Sequence, residues 1–479
     1  MRLGDSTPQL RAASTSASRR VGERRVTTIF DLNLAYYILI AALAVWLSPP
    51  MQTPLFGLQI AQLKNIIPVA AVGVFIASLG KNQRLGKAER KALAIFAAYM
   101  ALFSLSFARS TSHFLQFQRV DPEDFGGISG VVPTLVTYID SYFAVPFLCA
   151  LSFVYVVCRM RTEEQLLALF RAISIGVATV SLVLIFAIAA NPDVLLSSNR
   201  SQMVALCSAL FNLHYNNVGT IYIITGPLLL YLATTRGKIW RLNFALAAVA
   251  VLLLESRTTF AVFGLMNVIT YYVIARRSTF NVVVILISAA AVAFALIFSG
   301  SQTIEGYFTG FQVQNTSALN GRESLIWAPL LDEWWQSGVR FWFGNGEYAI
   351  LTSQSRLTGS ILNVAQAHSA YLEFFLDQGL LVFLGFFATL AFLLVRGIKF
   401  GMAAQSGLYW SLLLCVVSFL IGGLTGRQFL PQAESLLIFP VLGALVVVAA
   451  VHKRRLRLRN GISGNGVAVS VWRQGLLAK

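Results

Sequence analysis

The chain has 479 residues, of which 57% are hydrophobic and only 12% charged, and its mean hydropathy is +0.70. A soluble domain carries roughly 25% charged residues, so a water-soluble enzyme or binding module is excluded and the bilayer becomes the solvent to reason in. The net charge of +17 does not mark a nucleic-acid binder, because the basic residues are scattered between apolar runs instead of being clustered on one surface.

Residues 1–30 are polar and Ser/Arg-rich, as expected of a disordered basic cytoplasmic tail. No cleavable signal peptide is visible, since the first apolar run is followed by many more. A crossing needs about 20 mostly apolar residues. Such runs predict spans near residues 33–49, 62–80, 92–108, 137–157, 167–190, 218–233, 242–254, 259–275, 280–299, 372–395, 407–423 and 435–451. The expected fold is an all-α polytopic integral membrane protein of about 12 transmembrane helices. Residues 31–299 hold spans one to nine, 300–371 a large periplasmic loop with amphipathic helices, 372–452 spans ten to twelve, and 453–479 a basic cytoplasmic tail.

The seventh run is short, so the pair around Glu255 and Arg257 has a second reading as one bent or re-entrant unit. Charge bias decides against it. Sorted by the twelve-span order, 27 of the 37 Lys and Arg residues fall on one side and nine on the other, with Arg171 inside the fifth span. The positive-inside rule then places both termini in the cytoplasm; merging spans seven and eight would carry Arg276 and Arg277 across and invert every later loop. The four cysteines form no CxxC pair and no metal-ligand spacing.

This topology puts the long loop, and with it the chemistry, on the outer face. The loop contains GRESLIWAPLLDEWWQ, in which Leu325, Ile326, Leu330 and Trp334 recur at helical spacing and Glu323, Asp332 and Glu333 supply a polar side. Its tryptophans suit a membrane interface. The largest loop follows span nine, which argues against a transporter built from two equal six-helix halves.

Histidine is scarce. His452 lies in the basic end and reads as a solvated or headgroup-facing residue. His368, in AHSAYLEFFLDQG, lies where the loop re-enters the membrane. There it either packs the loop against the bilayer surface or acts as a general base, a role worth about 10² to 10⁴ in rate for a group titrating near neutrality. Arg257, in LLLESRTTF, is a near-membrane charge that calls for a polar cavity or a partner such as Glu255. Arg322, in NGRESLIW, opens the loop helix. Guanidinium forks suit phosphate oxygens, and two of them on a lipid-linked diphosphate would each contribute roughly 1.5 to 3 kcal/mol per charge-assisted hydrogen bond. No Asp-x-Asp pair or His cluster accompanies them, so neither a cofactor nor a metal is expected.

In order and spacing, SRTTF (Ser256, Arg257), GRESLIW (Gly321, Arg322, Trp327), FGNGEY (Gly344, Gly346) and AHSAYLEFFLDQG (His368, Tyr371, Gly379) resemble the O-antigen ligase and polysaccharide polymerase superfamily. HYNNVG (His214, Asn217) resembles a weaker feature of the same family. The resemblance implies a metal-independent inverting glycosyltransferase of the bacterial inner membrane, taking a glycan from undecaprenyl diphosphate on the periplasmic side. Arg257 and Arg322 would hold the donor diphosphate and His368 would activate the acceptor hydroxyl, with Tyr371, His214 and Asn217 as further candidates. The acceptor would be lipid A core for a ligase, which is favoured, or a growing glycan for an O-antigen or exopolysaccharide polymerase. The partners implied are these two substrates and the membrane lipids, with no nucleic acid. The family usually has His-Asn where this chain has His368-Ser369, which leaves the role of that Asn open here. Glu323 and Arg200 carry no assigned role. A polysaccharide flippase or other transporter is the competing class, and it would place charges at mid-membrane depth.

Overall fold

The structure is a computed structural model that describes residues 85–120, 143, 145–196, 200–211, 215–254, 256–276, 323–346, 350, 353–357, 367, 369–404, 406–424 and 437–464. The expected spans at 33–49, 62–80 and 280–299, the N-terminal tail, residues 465–479 of the expected C-terminal tail and much of the 300–371 loop lie outside these residues; the first part of that C-terminal tail, 453–464, is helical. Among the described residues every regular element is helical. Ahead of the loop come α1 (Lys87–Val120), α2 (Val145–Arg159), α3 (Glu163–Ala190), α4 (Arg200–Phe211), α5 (Tyr215–Thr235), α6 (Lys238–Leu253) and α7 (Arg257–Arg276). A π-helical turn at Glu323–Trp327 then leads into α8 (Ala328–Trp335), α9 (Val339–Phe343) and α10 (Gln354–Leu357). The last elements are α11 (Ala370–Ala404), α12 (Gly407–Gly422) and α13 (Ile438–Gly464).

Among the described residues four segments are long and apolar enough to cross a membrane: Lys87–Arg109, Glu163–Ala190, Tyr215–Thr235 and Ala370–Ala404. Their outward residues agree, since Leu105, Phe186, Leu384 and Phe392 are each more than half exposed, as a lipid-facing surface would be. α4 was not anticipated from the apolar runs. It buries Met203, Cys207 and Phe211 against the bundle, and at 12 residues it is too short to read as a span.

α5 is the central helix, with almost every residue buried. Its Gly219 and Gly226 face α7, where an added Cβ at Gly219 would overlap Thr259 and one at Gly226 would meet Asn267 and Phe263. Small residues at such a crossing let two backbones approach, which is how helices associate without a hydrophobic driving force. Hydroxyls along these helices donate back to carbonyls one turn earlier, as Thr225 does to Ile221 (2.7 Å) and Thr270 to Met266 (2.6 Å). Each is thereby satisfied without water. α6 and α7 are two separate helices joined at Leu254–Ser256, α6 packing on α3 and α5, and α7 on α5 and α12.

One end of the bundle is tied by charge. The buried Glu89 carboxyl accepts from Arg161 Nη1 (3.3 Å), from Arg454 Nη2 (2.7 Å) and from the Gly86 N–H. Arg161 also donates to the carbonyls of Val157, Cys158 and Met160, capping the last turn of α2. Three segments that charge sorting assigned to one side, 81–91, Arg159 with Arg161, and the chain from Lys453 onward, therefore meet at one place. His452, read from the sequence as solvated or headgroup-facing, is half-buried with its ring edge-on to Phe400 at 5.3 Å.

Replacing Glu89 by Ala leaves two guanidinium groups without their shared acceptor. Removing one partner of a buried ion pair costs about 3–5 kcal/mol; with Arg454 46% exposed, a loss nearer about 1–3 kcal/mol is expected. Thermal unfolding of the detergent-purified Glu89→Ala protein checks it, with Glu89→Gln falling between the variant and wild type.

Candidate functional site

The other end of the bundle gathers the motif segments. Gly407, at the start of α12, lies beside Tyr231 and Ile274 near the ends of α5 and α7. α12 packs along both of those helices, so its far end, Gly423, lies alongside the starts of α5 and α7. Gly423 accepts the Ala370 N–H (2.8 Å) and Leu420 accepts the Tyr371 hydroxyl (2.8 Å). The beginning of α11 is thereby fastened to the end where α7 begins.

Ser256 is buried and caps α7: its hydroxyl accepts from Thr259 Oγ1 (2.9 Å) and its carbonyl accepts the Phe260 N–H. The same hydroxyl donates to Asn216 Oδ1 at 2.9 Å. The Ser-Arg motif and the HYNNVG motif thus meet, through Asn216 and not through Asn217, whose side chain is half-buried one position on. Arg257 is the first residue of α7, so the positive end of that helix's dipole coincides with it. His214 lies outside the described residues.

The loop segment packs as its periodicity predicts, with one exception. Ile326, Leu330 and Trp334 are buried together with Ile350, Ala367 and Leu376. Leu325, grouped with them from the sequence, is exposed, because the π-helical turn at Glu323–Trp327 shifts the face ahead of α8. Glu333, on the expected polar side, accepts from the N–H groups of Gln354 and Ser355 and from the Ser355 hydroxyl (2.7–2.8 Å), holding the start of α10. Trp327 Nε1 donates to the Ala367 carbonyl at 2.7 Å. Arg322 and His368 themselves lie outside the described residues; their near neighbours Trp327 and Ala367 are hydrogen-bonded to each other.

Around position 368 the chain is closely held. The Ala367 N–H donates to Glu373 Oε1 (2.8 Å), and Ala367 and Ser369 are both buried. Ser369 starts α11, its hydroxyl accepting from Leu372 N (3.4 Å) and its carbonyl from Glu373 N (3.0 Å). Ser and Asn are comparable N-caps, so Ser369 keeps the capping function open to the Asn usual there. Tyr371 spends its hydroxyl on Leu420 and stacks on Phe387 at 5.3 Å, which makes it a brace between α11 and α12.

α11 is broken at Gly379, whose φ is 78°. A break leaves carbonyls of the preceding turn without helical partners; the Asn345 N–H donates to Leu376 O and the Gly346 N–H to Asp377 O, both at 3.0 Å. The approach is close enough that a Cβ on Gly344 would overlap the Asp377 carbonyl and one on Gly379 would overlap the Gly344 backbone. Arg109, from α1, donates to the carbonyls of Phe343 (2.6 Å) and Gly344 (3.3 Å). Sequence reasoning found Gly344, Gly346 and Gly379 but missed Arg109, Asn216, Glu373 and Asp377. Nothing local marks Arg109, which is 234 residues from Phe343. Glu373, Asp377 and the kink were hinted at by two carboxyl groups at the head of an otherwise apolar helix. A cleft between Glu163, Ser406, His452 and Arg455 lies at the opposite end of the bundle and takes no part in this arrangement.

Gly379→Ala is expected to lower stability by about 2 kcal/mol or more, combining positive-φ strain with the overlap. Limited proteolysis of the purified variant should show earlier cleavage within residues 338–346 than in wild type, with the spans still inserted.

No curated protein matches the chain. The family model described as O-antigen ligase matches residues 242–387, the stretch that carries Ser256, Arg257, Arg322, the Gly344 turn, His368 and the Gly379 kink, and this match supports the chain's place in the O-antigen ligase superfamily.

Proposed function

We propose that this protein is a metal-independent inverting glycosyltransferase of the bacterial inner membrane that moves a glycan from undecaprenyl diphosphate to an acceptor hydroxyl on the periplasmic face. The observation that carries the reading is the bond from Trp327 Nε1 to the Ala367 carbonyl. It joins the segment that follows Arg322 in the chain to Ala367, the residue immediately before His368, at the bundle end where α7 begins. In this reading Arg257 and Arg322 take the diphosphate oxygens, and their charge stabilises the leaving group as negative charge develops on it. His368 takes the proton of the acceptor hydroxyl as that oxygen attacks the anomeric carbon. The bond from that carbon to the diphosphate oxygen breaks in the same displacement, and configuration inverts. The basic end tied by Glu89 would be cytoplasmic and the loop end periplasmic, as the positive-inside rule requires.

O-antigen ligation onto lipid A core is the favoured activity, in line with the matched family's description; polymerisation of an O-antigen or exopolysaccharide is the alternative within the superfamily. A flippase or transporter is less well supported. Among the described residues the buried polar groups in the middle of the helices, such as Ser181, Thr225, Thr270 and Ser418, are uncharged, and Arg171 is exposed two turns into α3.

Purified protein offered an undecaprenyl diphosphate-linked glycan with either lipid A core or only more donor tests the proposal. Product on lipid A establishes the ligase and a lengthening donor ladder the polymerase; no product with either acceptor overturns the enzymatic reading. His368→Ala is expected to lose about 10² to 10⁴ in rate. Arg322→Ala should be inactive with insertion intact, and Arg322→Lys should fail to restore transfer because a point charge cannot reproduce the fork. EDTA is expected to leave the rate unchanged, and dependence on an added divalent ion would contradict the metal-free mechanism.

A further inference from the structure

Glu373 is buried to 3% exposure, an expensive place for a carboxyl group unless it does specific hydrogen-bonding work. Its Oε1 accepts the N–H of Ala367, six residues back, reaching past the N-cap of its own helix. The peptide plane that follows Ala367 is held from the other side, because its carbonyl accepts from Trp327. Beyond position 368, Ser369 caps α11, its carbonyl takes the Glu373 N–H, and the Ala370 N–H is bound by Gly423. The chain on both sides of His368 is thus fixed by groups from the loop helix, from α11 and from the end of α12.

We infer that Glu373 is a positioning residue for His368: its carboxyl oxygen, with Trp327 opposite, holds Ala367, the residue immediately before the histidine. This rests on the reading of His368 as the base. The effect is geometric. A base misplaced by about 1 Å can lose on the order of 10²-fold in rate, whereas groups that bind the donor diphosphate elsewhere keep their contacts. The signature is therefore a fall in kcat with little change in the KM for donor.

Glu373→Leu, Glu373→Gln and Trp327→Phe would be compared with wild type and His368→Ala, using an undecaprenyl diphosphate-linked glycan and a fixed acceptor, each protein being monodisperse in detergent. Glu373→Leu is expected to lower kcat by about 10- to 100-fold with donor KM within about twofold of wild type, as a positioning role predicts. Glu373→Gln, whose amide oxygen still accepts from Ala367, should recover most of that loss. If Glu373→Leu does not fold, Trp327→Phe removes the opposing tether while keeping an aromatic ring, and the same kcat-selective loss is expected. Wild-type kcat in Glu373→Leu, or in Trp327→Phe, overturns the inference, as does a Glu373→Gln protein no better than Glu373→Leu, which would mean that charge matters instead of the acceptor. An active His368→Ala protein would instead overturn the assignment of the base.

Discussion

A helix broken beside a bilayer exposes carbonyls that no lipid can satisfy, and the break at Gly379 is closed by the N–H groups of Asn345 and Gly346. Much of the loop end depends on that closure. It requires glycine on both sides, because the Gly344 turn and the Gly379 kink occupy each other's Cβ space. It fixes α9 against the head of α11, and Arg109 clamps the same turn from α1. The head of α11 is then free to be polar, with Glu373, Asp377 and Gln378 buried, while the part beyond the kink presents Leu381, Leu384 and Phe392 outward.

The division of labour follows from this. The bundle interior supplies rigidity with uncharged groups: small residues at the α5–α7 crossing, hydroxyls bonded back along their own helices, and the pairs Ser181 with Tyr222 and Asn243 with Ser174. Among the described residues buried charge is kept to the two ends. At one, Glu89 gathers Arg161 and Arg454 and serves stability. At the other, hydrogen bonds donated by Trp327 and accepted by Glu373, Asn216 and Gly423 hold the segments on either side of the motif residues. Rigid support around a small set of reactive groups is the arrangement that electrostatic and positional catalysis needs.

Helices were legible because apolar run length is a local property: the expected spans that fall on described residues all coincide with helices, and Ile326, Leu330 and Trp334 face inward as their spacing predicted. The exceptions were also physical. Leu325 escaped because a π-helical turn changes the periodicity, and α4 because its 12 residues are too few to register as a spanning run. In the site, motif glycines could be recognised but not explained, since their reason is each other across more than thirty residues. Asn216 was missed in favour of Asn217 because a one-residue choice on a helix start depends on the partner, Ser256, forty positions away. Arg109 had no local signal at all.

The most direct test of the proposed chemistry is the anomeric configuration of the new linkage, read by NMR on product made by the purified protein from a donor of known configuration. A single displacement driven by His368 predicts inversion, with intact undecaprenyl diphosphate released. Retention of configuration would require a covalent glycosyl-enzyme or another two-step route and would contradict the account.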